Sequence, residues 1–212
     1  MNKYKFFIDV QKEEAWLNDM AHQGWTLKKV SSSVYTFPFV YAFERNPLTE
    51  LKFKIDYRTF KTKDDFDDYR RLFQDSGWRH VAGTQRSGKQ YFIQTAKAVD
   101  DDIFSDNVSK AARYKRLSDM WISIAISYIP LLVVFHLTGI VDTAALLNPK
   151  LLYYTPDLWN MAGATFWRAF LFETPFALMR GFLWLLIPIL FLLYLFFAWR
   201  SNIQYQNTKD IV

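Results

Sequence analysis

The sequence predicts an α+β soluble domain followed by an all-α membrane hairpin of two helices, and three observations carry that prediction. Two apolar blocks, 120–141 and 181–199, contain no Asp, Glu, Lys or Arg. A segment near the N-terminus recurs at an offset of 53 residues, with Trp16 meeting Tyr69, Met20 meeting Phe73, and Gly24-Trp25 meeting Gly77-Trp78. Charge is unevenly placed: residues 1–118 carry 21 Lys+Arg against 16 Asp+Glu, and residues 119–212 carry five of each. The formal net charge of +5 therefore belongs to the N-terminal part.

Each copy of the repeat reads as a helix closed by glycine, the residue that enters the left-handed region at least cost. In the first copy Trp16, Leu17, Met20 and Ala21 form the apolar stripe, and in the second Phe66, Tyr69, Leu72 and Phe73 do. Thr62 ahead of Asp64 and Asp65 is an N-terminal cap with acids placed favourably for the helix dipole. Strands are expected at 3–8, 25–30, 35–43, 51–57, 78–82 and 90–94. In 51–58, Leu51, Phe53, Ile55 and Tyr57 alternate with Lys52, Lys54, Asp56 and Arg58, giving one buried and one wet face. Pro38 should confine the 35–43 strand to an edge or break it with a bulge. The order β-α-β-β, β-α-β-β gives a duplicated cytosolic domain over 1–99, an antiparallel-rich sheet with both helices on one face. It is a sandwich related to ferredoxin-like folds. Residues 100–118 are expected to be an acidic hinge, Asp100 to Asn107, and then a juxtamembrane helix running into the first span.

The membrane domain occupies 119–212, with spans 120–141 and 181–199 and an external loop 142–180. At about 1.5 Å per residue each block crosses a hydrocarbon layer of about 30 Å. Asp119 and Asp142 border the first, Arg180 and Arg200 the second. Pro130 and Pro188 are expected to kink the spans. Met1 to Val10 mixes charges into its apolar residues, so no signal peptide is expected there. Lys110, Arg113, Lys115, Arg116 and Arg200 flank the spans, which predicts both termini in the cytoplasm of a multi-pass protein of the cell membrane, with these residues facing anionic lipid. In the loop, Leu158 to Phe170 has helical spacing with Trp159 and Trp167, the signature of a short helix lying on the outer leaflet.

Chemistry is sparse. With no cysteine, disulfides and thiolate catalysis are excluded. His22, His80 and His136 lack metal-ligand spacing, and the run Asp64, Asp65, Asp67, Asp68 is locally neutralised by Lys61, Lys63, Arg70 and Arg71, so no metal, cofactor or catalytic residue is assigned. The Gly83 to Lys89 stretch has the wrong spacing for a phosphate loop and reads as a hairpin turn. His136 is an intramembrane ionisable group and hence a candidate sensor of protons or ligands. Tyr35, Phe37, Phe39, Tyr41 and Phe43 share one face of a strand. They form either the core side of the sheet or a recognition platform for a peptide or apolar ligand. The aromatic signature of an RNA-binding strand is absent, and no nucleic-acid partner is expected.

Lys3-Tyr4-Lys5-Phe6-Phe7, the Glu14 to Asn18 segment with Gly24-Trp25, Ile55-Asp56-Tyr57, Tyr69 to Trp78, and Phe104 to Lys110 before Arg113-Tyr114-Lys115-Arg116 resemble a domain-of-unknown-function family of Gram-positive bacterial membrane proteins. The resemblance covers residues 1 to about 118. It implies a regulatory setting, because such domains are often encoded beside PadR-like transcription regulators, and it supplies no catalytic residue. The expected function is a two-span membrane regulatory or adaptor protein. Its cytosolic domain would bind a protein partner or a second copy of the chain, and its hairpin would sense or join a membrane complex. An accessory subunit of an export system is the alternative; a lipid-acting enzyme ranks lowest, since no catalytic constellation is visible.

Overall fold

Two capping side chains 53 residues apart start the helices of the N-terminal part. Asp9 accepts from the backbone N–H of Gln11 at 2.9 Å, and Thr62 from that of Asp65 at 3.1 Å. In a computed structural model of the chain, which describes residues 1–31, 39–46, 51–95, 101–138 and 143–210, these caps open α1 (Val10–His22) and α2 (Lys63–Asp75), each of 13 residues. Gly24 (φ +78°) and Gly77 (φ +84°) follow their ends. An L side chain is disfavoured at such φ values, and this is the sterically forced part of the repeat.

Among the described residues, six strands complete this N-terminal part: β1 (Asn2–Lys5), β2 (Trp25–Ser31), β3 (Phe39–Arg45), β4 (Phe53–Tyr57), β5 (Trp78–Ala82) and β6 (Lys89–Gln94). They form two separate three-stranded antiparallel sheets, in the orders β1-β3-β2 and β4-β6-β5. One sheet with both helices on one face is therefore not what forms. On β6, successive side chains point to opposite faces; Phe92 meets Tyr69 of α2, while Tyr91 reaches Glu13 of α1. The second sheet is thus covered on both sides. β3 is central rather than an edge, and it starts just after Pro38, where every residue can donate to its neighbours. The irregularity lies across from it, between Leu27 and Lys29 of β2.

The chain divides into two compact units, Met1–Ser118 with Trp199–Val212, and Asp119–Ala198. In the first, Tyr69, Trp78 and Phe92 form a buried cluster to which Phe60, Phe66, Phe73 and Ile103 add partly buried rings and side chain. Ile103 lies in the stretch expected as a hinge, and its neighbours are paired. Asp101 pairs with Lys52 at 3.0 Å, and Asp102 pairs with Lys54 at 3.4 Å and Lys110 at 2.7 Å, so this stretch is tied down from 101 onward. Asp106 then accepts from the Ser109 backbone N–H at 2.7 Å beside the start of α3 (Asn107–Ser127).

Among the described residues, two helical stretches are long and apolar enough to cross a membrane, Asn107–Leu137 and Gly163–Lys209. The first is divided at Tyr128 into α3 and α4 (Ile129–Leu137), with Pro130 in the first turn of α4, the position where a missing N–H costs least. In the second unit Trp121 stacks on Tyr194 and meets Phe197 edge-on at 5.2 Å, joining α3 to α5 (Gly163–Lys209). The predicted short helix on the outer leaflet is not separate. α5 runs unbroken through residues 163–180, and both Pro175 and Pro188 are held inside it. Upstream, residues 143–160 contain three short 3₁₀ turns.

Candidate functional site

Strand order leaves β4 at an edge, with its outward peptide groups needing partners that no strand supplies. Side chains supply them. The Phe53 N–H donates to Asn18 Oδ1 at 2.6 Å and the Ile55 N–H to Glu14 Oε1 at 3.0 Å, both acceptors on α1. The carbonyls are met from α3: Arg113 donates to Ile55 O at 2.8 Å, and Arg116 Nε donates to Tyr57 O at 2.5 Å. Residues three apart on a helix share a face, and alternate residues of a strand turn their peptide groups the same way, so two arginines match two carbonyls.

The same guanidinium groups carry ion pairs. Arg113, 1% exposed, donates to Glu14 Oε1 at 2.6 Å and to the Tyr114 hydroxyl oxygen at 2.9 Å, with the Phe104 ring 5.2 Å away. Arg116 donates to Asp56 Oδ1 at 2.7 Å, and Asp56 also accepts from the Tyr69 hydroxyl at 2.9 Å. Asp56 was expected on a wet face; it is 2% exposed, because α2 and α3 cover that face. Burial, then the Asp56 charge, pushes the Tyr69 hydroxyl pKa far above its ordinary value, which keeps it a donor.

A second cluster adjoins it through the neighbouring residue of α1. Glu13 is fully buried and accepts from Tyr41 at 2.6 Å and Tyr91 at 2.7 Å on one oxygen, and from Lys89 Nζ at 2.5 Å on the other. Burial, then the charge of Glu13, holds both tyrosines protonated well beyond their usual range. Every oxygen of Glu13 and the contacting oxygen of Glu14 is thus occupied. The arrangement works as a clasp, joining α1, both sheets and α3 through charge-assisted bonds.

The structure relocates several expected site residues. Arg113 is turned inward onto Glu14 instead of facing anionic lipid, because the β4 edge and a buried carboxylate hold it; Arg116 follows with Asp56, and Lys110 pairs with Asp102. Arg200 is exposed on α5, and Lys115 also has a partner. Tyr35 and Phe37 lie outside the described residues. Tyr41 and Phe43 are core, packed edge-on against Trp16 at 5.0 and 5.5 Å, and Phe39 stacks on Phe6 at 5.7 Å, so these three form the inner side of the sheet rather than an open platform. His136 is exposed on α4. Along the acidic run, Asp67 pairs with Arg70 and Asp68 with Arg71. A shallow depression of about 440 Å³ beside it, lined by Arg58, Thr59, Phe60, Lys61, Asp65 and Asp68, mixes both signs of charge. Glu13, Glu14, Asp56, Lys89 and Tyr91 had no sequence signal as a group.

His80 is expected to give the N-terminal α/β part a pH response. Its ring packs against Phe66 and Phe92, and Nε2 lies 2.9 Å from Gln90 Oε1; the Gln90 amide nitrogen donates to the Arg58 and Thr84 carbonyls, so Nε2 is the donor in this contact. Burial lowers its pKa below the ordinary 6.5. As pH falls, the unfolded chain takes up the proton first. The His80 contribution is therefore complete above about pH 6.5 and declines as pH drops from there towards the folded-state value. Thermal unfolding between pH 7.5 and 5 should show this decline for the native chain and a flatter profile for His80→Gln; parallel profiles would remove His80 from the response.

A family model described as Protein of unknown function (DUF2812) matches residues 9–126. No curated protein and no solved structure matches the chain.

Proposed function

The chain belongs to the family described as Protein of unknown function (DUF2812), and from that premise we propose that it is a two-span membrane regulatory or adaptor protein, whose soluble domain binds a protein partner and passes the binding state to its apolar helices. One observation carries this reading. α3 is a single helix from Asn107 to Ser127; its first turns are held by the Arg113 and Arg116 clasp, and its last nine residues belong to the apolar unit. A helix held at one end by buried charge pairs transmits a displacement that a slack tether would absorb. The regulator-linked setting implied by the resemblance of the sequence supports the same role.

Both chain ends are read as cytoplasmic and the apolar helices as spans of the cell membrane. In support, residues 199–209 of α5 fall in the same compact unit as Met1–Ser118, and the basic excess lies in residues 1–118. Purifying the full-length chain in mild detergent and identifying co-purifying proteins by mass spectrometry is expected to recover one membrane protein in fixed ratio. A monodisperse chain without a partner would overturn the adaptor reading.

A further inference from the structure

α5 is far longer than a span requires. Its 47 residues extend over about 70 Å, against a hydrocarbon layer of about 30 Å. Between Arg168 and Arg200 the only Asp, Glu, Lys or Arg are Glu173 and Arg180. These two lie seven residues apart, about two turns, and so share one face of the helix. At about 100° per residue, Leu171, Leu178, Met179 and Phe182 fall on the opposite half and Phe172 at its border. All five are exposed, Phe172 at 73% and Leu178 at 65%. Leu185, Ile189, Leu192, Leu193 and Phe196 continue that exposed apolar half. The surface of 171–182 is thus one with the surface of the block 181–199.

The charged pair is saturated by irregular backbone. Glu173 accepts from the backbone N–H groups of Tyr154 at 2.5 Å and Thr155 at 2.7 Å, and from the Thr155 hydroxyl. Arg180 donates to Glu173 at 2.8 Å and to the Leu152 carbonyl through both Nε and Nη2, with its guanidinium 4.0 Å from the Tyr154 ring centre. In water such a turn needs no carboxylate to satisfy it. Within a bilayer, non-helical backbone persists only when protein groups take its hydrogen bonds, and an ion pair only when both partners are fully bonded.

We propose that the lipid-contacting face of α5 begins at Leu171, ten residues before the apolar block, and that the Glu173–Arg180 pair and the 152–155 turn lie within the lipid layer. Leu171 to Trp199 then spans about 43 Å, the thickness of a bilayer with its headgroup zones, about 40–45 Å. The occupant of this face is lipid, the acyl chains and glycerol region that meet Phe172 and Leu178. The inference rests on α5 crossing a membrane, and its test separates the two statements.

Because the chain has no cysteine, single substitutions carry a spin label at one defined place. Phe172→Cys, Leu178→Cys, Ile189→Cys and Asn207→Cys would each be spin-labelled in the full-length chain in phosphatidylcholine vesicles. Collision with oxygen, which concentrates in lipid, is compared with collision with a water-soluble nickel chelate. Expected is an oxygen-dominated response at 172, 178 and 189, and a nickel-dominated one at 207. Nickel access at 172 and 178 with oxygen access at 189 would overturn the lipid boundary while leaving the span intact. Nickel access at 189 as well would overturn the span itself. Exclusion of both reagents at 172 and 178 would mean that a second copy covers this face, and would overturn lipid as its occupant.

Discussion

Arg113→Ala is expected to destabilise the N-terminal domain by about 3–5 kcal/mol, a large share of the roughly 5–15 kcal/mol that holds a domain folded. Arginine is removed from a site where it is 1% exposed, and what it leaves behind is the cause of the loss. Glu14 remains buried without its cation, the Ile55 carbonyl remains without a donor, and the Tyr114 hydroxyl loses a neighbour. Denaturant unfolding of the detergent-solubilised full-length chain, followed by near-ultraviolet circular dichroism, measures this. The pair itself is isolated by a cycle with Glu14→Ala. The double variant should lose at least about 1 kcal/mol less than the two single losses combined, since each single change strands a charge and the double strands none. Strict additivity would mean that the ion pair is not what holds α3 to β4. Arg71→Ala gives the contrast: it breaks a surface pair whose side chains are 75% and 74% exposed, and is expected to change stability by no more than about 0.5 kcal/mol.

The elements of this fold are legible because they rest on local rules. Thr62 caps, Gly24 and Gly77 terminate, Trp25 and Trp78 open strands, and the apolar blocks coincide, over 120–137 and 181–199, with helical stretches long enough to cross a membrane. The arrangement of the strands is less legible. Period-two alternation in β4 separates Phe53 and Ile55 from Asp56, but it cannot say that the second face is also covered, and so Asp56 read as wet. The clasp was hidden for a related reason. Arg113 meets Glu14 across 99 residues and Arg116 meets Asp56 across 60, and a basic cluster ahead of an apolar block has an ordinary explanation in membrane topology that requires no partner. Sequence pattern reports which residues are charged. Which charges are consumed inside the fold depends on the edge of a strand whose neighbours only the tertiary structure defines. The continuous α5 has the opposite origin: the helical spacing read over 158–170 lies in α5 only from Gly163, with 158–160 a 3₁₀ turn, and no local signal marks whether a helix continues across Gly181.

Glu13→Ala should rival the Arg113 variant, at about 3–5 kcal/mol, because three donors converge on one carboxylate and all lose their acceptor together. Tyr41 and Tyr91 stay protonated, since burial, the larger cause, persists when the Glu13 charge is gone, and Lys89 Nζ keeps the Phe7 carbonyl at 3.3 Å and the Phe39 ring. Chemistry then distinguishes the donors. In Glu13→Gln the amide oxygen can occupy the position of the oxygen that serves both tyrosines, but the amide nitrogen then faces Lys89, a donor against a buried cation. Adding Lys89→Met removes that conflict and leaves an apolar side chain of similar length beside the Phe39 ring, 5.5 Å from the ammonium it replaces. The double variant Glu13→Gln, Lys89→Met is therefore expected to be more stable than Glu13→Gln alone, with both compared by the same unfolding measurement. If the second substitution instead deepens the loss, Lys89 contributes through its own contacts to Phe7 and Phe39 more than through Glu13, and the carboxylate is a tyrosine acceptor first. The sign of that single difference decides whether Glu13 holds α1 to the sheets as the anion of an ion pair or as the hub of two neutral hydrogen bonds.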